Sequence, residues 1–330
     1  MKIDCFTHVM PQPYIDRFKQ AVSGFYLGDL PSLIPEMVDI RPRLEMMDRH
    51  GIDRQVLTIA TPPIEEVVED PRLAAELATV ANDAIAEMAA RRPDRFLAVG
   101  TIAMNNMDAA VREAERAITQ LGMKGILIYS NCQGRAIDAP EFMPFYALMA
   151  QLDLPIWLHP ARTPMRADYL DEDHSRYAMW QIFGWPFETS MAMTRLIFAG
   201  VLDRHPQLKI ITHHAGAMIP YFDKRIEYVY PLFDKLGQLG DSLQRLHKPL
   251  VEYYRMFYND TALMGSVGGM HAAYAFFGPD RLLFGTDTPF DTHGGELFTR
   301  ETLLSIEALP IPPAEKAAIY AGNLSRLLKL

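Results

Sequence analysis

The chain has 330 residues, about half of them hydrophobic, and carries a net charge of −9. That length supplies apolar material for a large core, and the negative balance argues against a nucleic-acid surface while leaving room for a local arginine cluster to bind an acidic ligand. Two cysteines, Cys5 and Cys132, cannot build a disulfide framework, no leader-like basic and apolar run opens the chain, and no apolar stretch approaches the ~20 residues that span a bilayer, which together predict a cytoplasmic protein with no membrane partner.

In chain order, short apolar runs rich in β-branched residues fall at 2–8 (KIDCFTH), 55–60 (QVLTIA), 96–102 (FLAVGTI), 124–129 (KGILIY), 154–159 (LPIWLH), 208–213 (LKIITH), 255–260 (RMFYND) and 281–287 (RLLFGTD). Between them, segments such as 72–91 and 107–121 carry Ala, Glu, Arg and Leu at helical spacing. Eight strands alternating with helices predict a single α/β domain over residues 1–330, a parallel (β/α)8 TIM barrel. An open doubly wound sheet is the alternative, weakened by the lack of a glycine-rich turn after the first strand. Two connections are too long to be plain. Residues 10–43, with five prolines, form an insertion after the first strand. Residues 160–195 follow the fifth strand. There the fifth helix is predicted near 184–200, and 161–183 is predicted to be an aromatic-rich loop over the mouth.

Polar residues gather at the C-terminal ends of these strands, where barrel enzymes place their sites. His8 ends the first strand, His159 the fifth, His213 and His214 the sixth, Asp260 the seventh and Asp287 the eighth. Any one of them has a plain structural use: a strand-end histidine satisfied by its neighbours, or an aspartate opening a turn before Thr-Pro. Together, imidazoles and a carboxylate on one rim make a ligand set suited to Zn²⁺ with a water completing the shell.

The chain resembles the amidohydrolase superfamily, in the branch of aminocarboxymuconate-semialdehyde decarboxylase and the hydroxybenzoate decarboxylases. The resemblance is carried by KIDCFTHVMP, LPIWLHP, FGWPFETSMAMTRLIFAGVLDRHPQLKIITHHAGAMIPYFDKR and LLFGTDTPF. It implies a barrel, one divalent metal, and non-oxidative decarboxylation of an unsaturated or aromatic acid. Position by position it implies His8, His159 and Asp287 as metal ligands, with Asp287 also a candidate proton donor. It implies His214, six residues before Pro220, as the base or orienter beside a metal water. Arg43 matches an arginine that binds a substrate carboxylate, with Arg41 as a rival. Arg225 matches an arginine that enters a neighbouring subunit's site, which implies a homodimer.

One position departs from the resemblance. Such first strands usually end His-x-His, and here Phe6 stands at the earlier place. Alternation along a strand puts Phe6 on the face of His8 and Cys5 on the opposite face, while Asp4 sits about 13 Å from His8 at ~3.3 Å per residue. Neither can substitute, so three matched ligands remain, with His214 as a possible fourth. By the same parity His213 is expected to face away from the site. The function expected is a carboxy-lyase. A lactone hydrolase or hydratase on the same barrel is the alternative, and a metal-free relative that only binds a ligand is the second.

Overall fold

The computed structural model describes residues 1–22, 24, 29–59 and 61–330. The parallel strands are β1 (Ile3–Val9), β2 (Arg54–Ile59), β3 (Phe96–Ala98), β4 (Gly100–Thr101) and β5 (Ile126–Tyr129). A small antiparallel pair follows, β6 (Asn131–Cys132) and β7 (Arg135–Ala136). Then come β8 (Ile156–His159), β9 (Ile210–Thr212) and β10 (Tyr258–Asn259). Ala60, the expected last residue of the second strand, lies outside the described residues, as does part of the insertion at 10–43.

Neighbours run β1–β2–β3 in one sheet and β4–β5–β8–β9–β10 in the other, all parallel. The expected third strand is interrupted at Val99. Its N–H turns to Leu57 O (3.0 Å), whereas the next N–H, on Gly100, turns to Gly125 O (2.9 Å). One run of chain thereby joins both sheets. The eighth segment has no regular strand assignment but is bound on both sides. Leu283 N donates to Asn259 O, Cys5 N to Phe284 O, Asp287 N to Phe6 O and His8 N to Thr288 O. It therefore sits between β10 and β1, in the place of the eighth strand of a TIM barrel.

The parallel strands are buried at nearly every position because helices cover one face and the barrel interior fills the other. One buried cluster reaches from Ile3 to Leu328. Its helices are amphipathic or alanine-rich, as in Pro71–Ala90, where Ala74, Leu77, Ala78, Ala81 and Ile85 face inward. Asp70 caps that helix by accepting from Arg72 N. No helix among the described residues is long and apolar enough to cross a membrane.

The expected fifth helix is present as Gly184–Phe198, preceded by a short turn at Met179–Ile182. The loop before it is tied down by polar contacts. Arg162 pairs with Asp168 (3.0 Å), Ser175 Oγ donates to Asp168 (2.5 Å), and Arg166 pairs with Glu188 (2.7 Å). Its aromatics do not all turn inward. Trp180 is buried, but Tyr169, Tyr177 and Phe183 are exposed.

Candidate metal centre

Three imidazoles meet at the C-terminal rim. His8, His159 and His213 each offer a ring nitrogen, and these atoms lie within 4.8 Å of one another. His213, His214 and Asp287 form a second, overlapping group with the same closeness. All five side chains are buried.

The outer nitrogen of each of the first three rings is engaged. His8 Nδ1 faces Thr58 Oγ1 (3.0 Å) and Ile59 O (3.3 Å). Thr58 Oγ1 donates its own proton to Thr7 O, so it accepts from His8. His159 Nδ1 faces Pro160 O (2.7 Å), and His213 Nδ1 donates to Asp260. Fixing Nδ1–H leaves Nε2 with a lone pair, the tautomer a metal ligand needs.

The inner nitrogens behave accordingly. His8 Nε2 and His213 Nε2 lie 3.1 Å and 3.2 Å from Asp287 Oδ1, yet both are buried without a hydrogen-bond partner among the described residues. Short distances without hydrogen-bond geometry mean that these atoms face a common point rather than each other. Leaving such atoms unsatisfied is costly, and a shared cation resolves the cost for all of them. The donor set fits a divalent metal.

Electrostatics point the same way. Burial alone would raise Asp287; the charge on His213 and the contacts from His213, His214 and His8 outweigh it and hold Asp287 well below the usual carboxylate range. Burial pushes His8, His159 and His214 down. Burial also works against His213, but Asp260 and Asp287 push it up to about 10. Two buried carboxylates thus favour positive charge at this spot.

The presence of both His213 and His214 corrects the parity expectation. β9 ends at Thr212, and the backbone then turns left-handed, with φ of 58° at His214, 53° at Ala215, 74° at Gly216 and 56° at Ala217. A regular strand would have separated the two rings to opposite faces. The turn brings them within 3.9 Å, centroid to centroid. Asp260 pins it, because its Oδ1 accepts from Ala215 N (3.1 Å) and Ala262 N (3.0 Å). Gly216 is required there: a Cβ would lie 2.5 Å from the Phe277 ring and 2.8 Å from Asn259 Oδ1. Asp287 is also left-handed, at φ 66°. Non-glycine residues in this region cost of order ~1–3 kcal/mol each and cluster at functional sites.

Aromatic rings wall the cluster. Phe6 stacks on His213 at 4.0 Å, Trp185 lies edge-on to His159 at 5.3 Å, and Phe290 lies 5.2 Å from His8. Sequence reasoning did not single out Trp185, Phe290 or Thr58. Trp185 stands in the first turn of the helix after the long loop, and Phe290 three residues past Asp287, so both were findable by their closeness to marked positions.

The arginines are placed differently from the imidazoles. Arg43 is fully buried, and its Nη atoms donate to His8 O (2.5 Å), Glu36 O (3.2 Å) and Gln55 Oε1 (3.1 Å). Only Nε is left without a partner. Arg41 is exposed and pairs with Asp39, which caps its helix. Arg225 is exposed on the helix Asp223–Lys235, and among the described residues no ion pair engages it. It borders an apolar groove of about 380 Å³ lined by Phe187, Met191, Met218, Phe222 and Phe233.

Known proteins share this arrangement of strands. The gamma-resorcylate decarboxylase of Rhizobium radiobacter is 33% identical over 322 residues, covering 94% of each chain. The 5-carboxyvanillate decarboxylase of Sphingomonas paucimobilis superposes with a TM-score of 0.85 at 27% identity, over 100% of this chain and 99% of that one. The dihydroxybenzoic acid decarboxylase of Polaromonas sp. JS666, solved with manganese and the inhibitor 2-nitroresorcinol, gives 0.83 at 28% identity, over 100% and 97%. The sequence family described as amidohydrolase matches residues 3–330, which takes in every strand that bears a residue of the cluster, and this chain belongs to that family.

Proposed function

We propose that this chain is a metal-dependent, non-oxidative decarboxylase, a carbon–carbon lyase acting on a small aromatic carboxylic acid. The observation that carries the reading is the convergence of buried His8, His159, His213 and Asp287 inside an aromatic wall, in a chain whose full-length relatives are decarboxylases. His8, His159 and Asp287 would hold one divalent ion. Such an ion supplies positive charge against the negative charge that develops as CO2 departs. Nitrogen-rich donors suit Zn²⁺, whereas the Polaromonas relative holds manganese. Metal analysis of protein purified without added metal decides between the two.

The residues have distinct work. Loss of CO2 leaves an electron pair on carbon, and a proton must reach it. His214 suits that task. Its Nδ1 is buried without a partner and its Nε2 lies 3.7 Å from Asp287 Oδ2, so the ring is not locked in one tautomer. Asp287 touches the same ring and is the second group able to pass a proton. Trp185 and Phe290 would hold a flat ring and keep water from the carbanion. Arg225, whose guanidinium no ion pair engages among the described residues, is the better of the two arginines for a substrate carboxylate, since Arg43 is largely engaged.

Arg225 would act across a homodimer. Tyr169, Leu170, Tyr177 and Phe183 of the long loop and Tyr221, Tyr228, Leu232 and Leu236 near Arg225 are exposed, aromatic and aliphatic side chains of the kind that fill interface cores. Cys5 and Cys132 are both free and buried, which fits the cytoplasm. The match over residues 3–330 supports one barrel domain.

The test is a screen of hydroxybenzoic and muconic acids in labelled water. CO2 release with a solvent hydron at the vacated carbon is expected. Ring opening of a lactone with solvent oxygen in the product would make the chain a hydrolase instead.

A further inference from the structure

We infer that His213 is a fourth protein ligand, filling the coordination place that Phe6 leaves empty of donors, and that Asp260 and Phe6 are the positioning residues that aim it. This rests on the reading of the cluster as a metal centre.

Phe6 lies on β1 two residues before His8 and faces the cluster, 5.5 Å from the His8 ring and 6.0 Å from the His159 ring. It carries no donor. Its ring instead lies 4.0 Å from the His213 ring at an interplanar angle of 17°. Both side chains are wholly buried. A stacked neighbour at that distance fixes the plane of an imidazole, and so the direction of its Nε2 lone pair.

Asp260 fixes the other degree of freedom. Its carboxylate is wholly buried, one oxygen accepting from His213 Nδ1 and the other from Ala215 N and Ala262 N. The ring can neither flip nor exchange tautomers without breaking that contact. A carboxylate behind the outer nitrogen also raises the basicity of the inner one, the arrangement found behind metal-bound histidines. His213 Nε2 is then left buried, without a hydrogen-bond partner among the described residues, 3.2 Å from Asp287 Oδ1 and within reach of the same point as His8 and His159.

His214 is built otherwise. Among the described residues neither of its nitrogens is held by a short hydrogen bond: Nδ1 has no partner and Nε2 is 3.7 Å from Asp287 Oδ2. A ligand needs a fixed lone pair, and a proton-exchanging group needs freedom at its nitrogens. The two adjacent histidines divide these tasks. The resulting set, three imidazoles and one carboxylate, is nitrogen-rich and shifts preference toward Zn²⁺ over Mn²⁺.

The experiment reads metal binding rather than turnover. Purified full-length protein is stripped with chelator, reloaded with Co²⁺, and examined for metal stoichiometry, visible spectrum and hyperfine-shifted, exchangeable imidazole N–H resonances. Three such resonances are expected in the parent, one each from His8, His159 and His213. His213→Asn should lose the ion on dialysis, and Asp260→Asn should weaken metal affinity about 10–100-fold. His214→Asn should keep one equivalent with an unchanged spectrum. Two resonances in the parent, or full metal retention by His213→Asn, would overturn the ligand assignment while leaving the metal centre intact. A parent that binds no metal would remove the centre itself, and this inference with it. The resonance count needs no substitution, so it decides the matter even if His213→Asn does not fold.

Discussion

Asp287 and Glu65 are two carboxylates buried at the same end of the barrel, and they are held in opposite ways. Asp287 follows the eighth segment and touches three imidazoles. Glu65 lies in the short helix Ile64–Val67 after β2, and among the described residues neither of its oxygens has a hydrogen-bond partner. Burial raises both. For Asp287 the interaction with His213 and the contacts from His214 and His8 reverse the effect, whereas Glu65 is pushed up to about 7. Burial is common to the two; the neighbours decide the charge. The segment after the eighth strand position is therefore a site that welcomes a cation, whereas the helix after β2 carries a carboxyl that burial pushes toward its protonated form.

The largest expected effect comes from breaking the first side. Asp287→Asn removes a ligand and a proton carrier together. Turnover should fall by more than ~10⁴-fold, beyond the loss of a general acid alone, and metal content should fall with it. Protein that keeps both would take Asp287 out of the centre. His214→Asn is the sharper cut, because it touches the same carboxylate without a ligand's geometry. It should lower kcat by ~10²–10⁴-fold with the ion retained, measured as CO2 release on metal-assayed protein. Equal activity in parent and variant would shift the proton to Asp287.

Much of this was legible in the sequence because it depends on strand ends. All eight runs of β-branched residues lie where barrel strands or the strand-like eighth segment lie, and His8, His159 and Asp287 stand at their tips. The reading of His213 failed because alternation assumes a strand that continues, and β9 stops at Thr212 before a left-handed turn. Gly216 marks a turn after the strand but not that both rings end on one face, since what fixes them there, Asp260 and Phe277, lies more than forty residues on. The setting of Arg43 was not legible for a similar reason. Its partners His8, Glu36 and Gln55 come from three separate elements. The loop aromatics could not be sorted into buried Trp180 and exposed Tyr169, Tyr177 and Phe183 by residue type alone.

A smaller effect is expected one contact further out. Thr58 Oγ1 accepts from His8 Nδ1 and so holds the ring's tautomer. Thr58→Val keeps the shape and removes the acceptor, leaving only Ile59 O at 3.3 Å. Metal affinity should drop ~10–100-fold, read by competition with a chelating dye. An unchanged affinity would mean that the Ile59 carbonyl suffices.

The smallest effect tests the other side of the comparison, and it appears in stability. Glu65 has an ordinary value of 4.5 and is raised to about 7 by burial. The folded chain therefore binds a proton more tightly here than the unfolded chain does. Below about pH 4.5 the two states are equally protonated and Glu65 adds no pH dependence. As pH rises from there toward 7 the unfolded state ionises first, and the fold loses stability; above about 7 both are ionised and the penalty is constant. The whole span amounts to about 3 kcal/mol at most. Glu65→Gln cannot ionise, so its stability should vary less between pH 5 and pH 8 than the parent's, by up to that amount. Urea unfolding of both proteins at the two pH values measures it. Asp4, also raised to about 7, remains in both and cancels in the difference. Identical pH dependence in the two proteins would mean that Glu65 has a counter-charge after all, and the two carboxylates would be held alike.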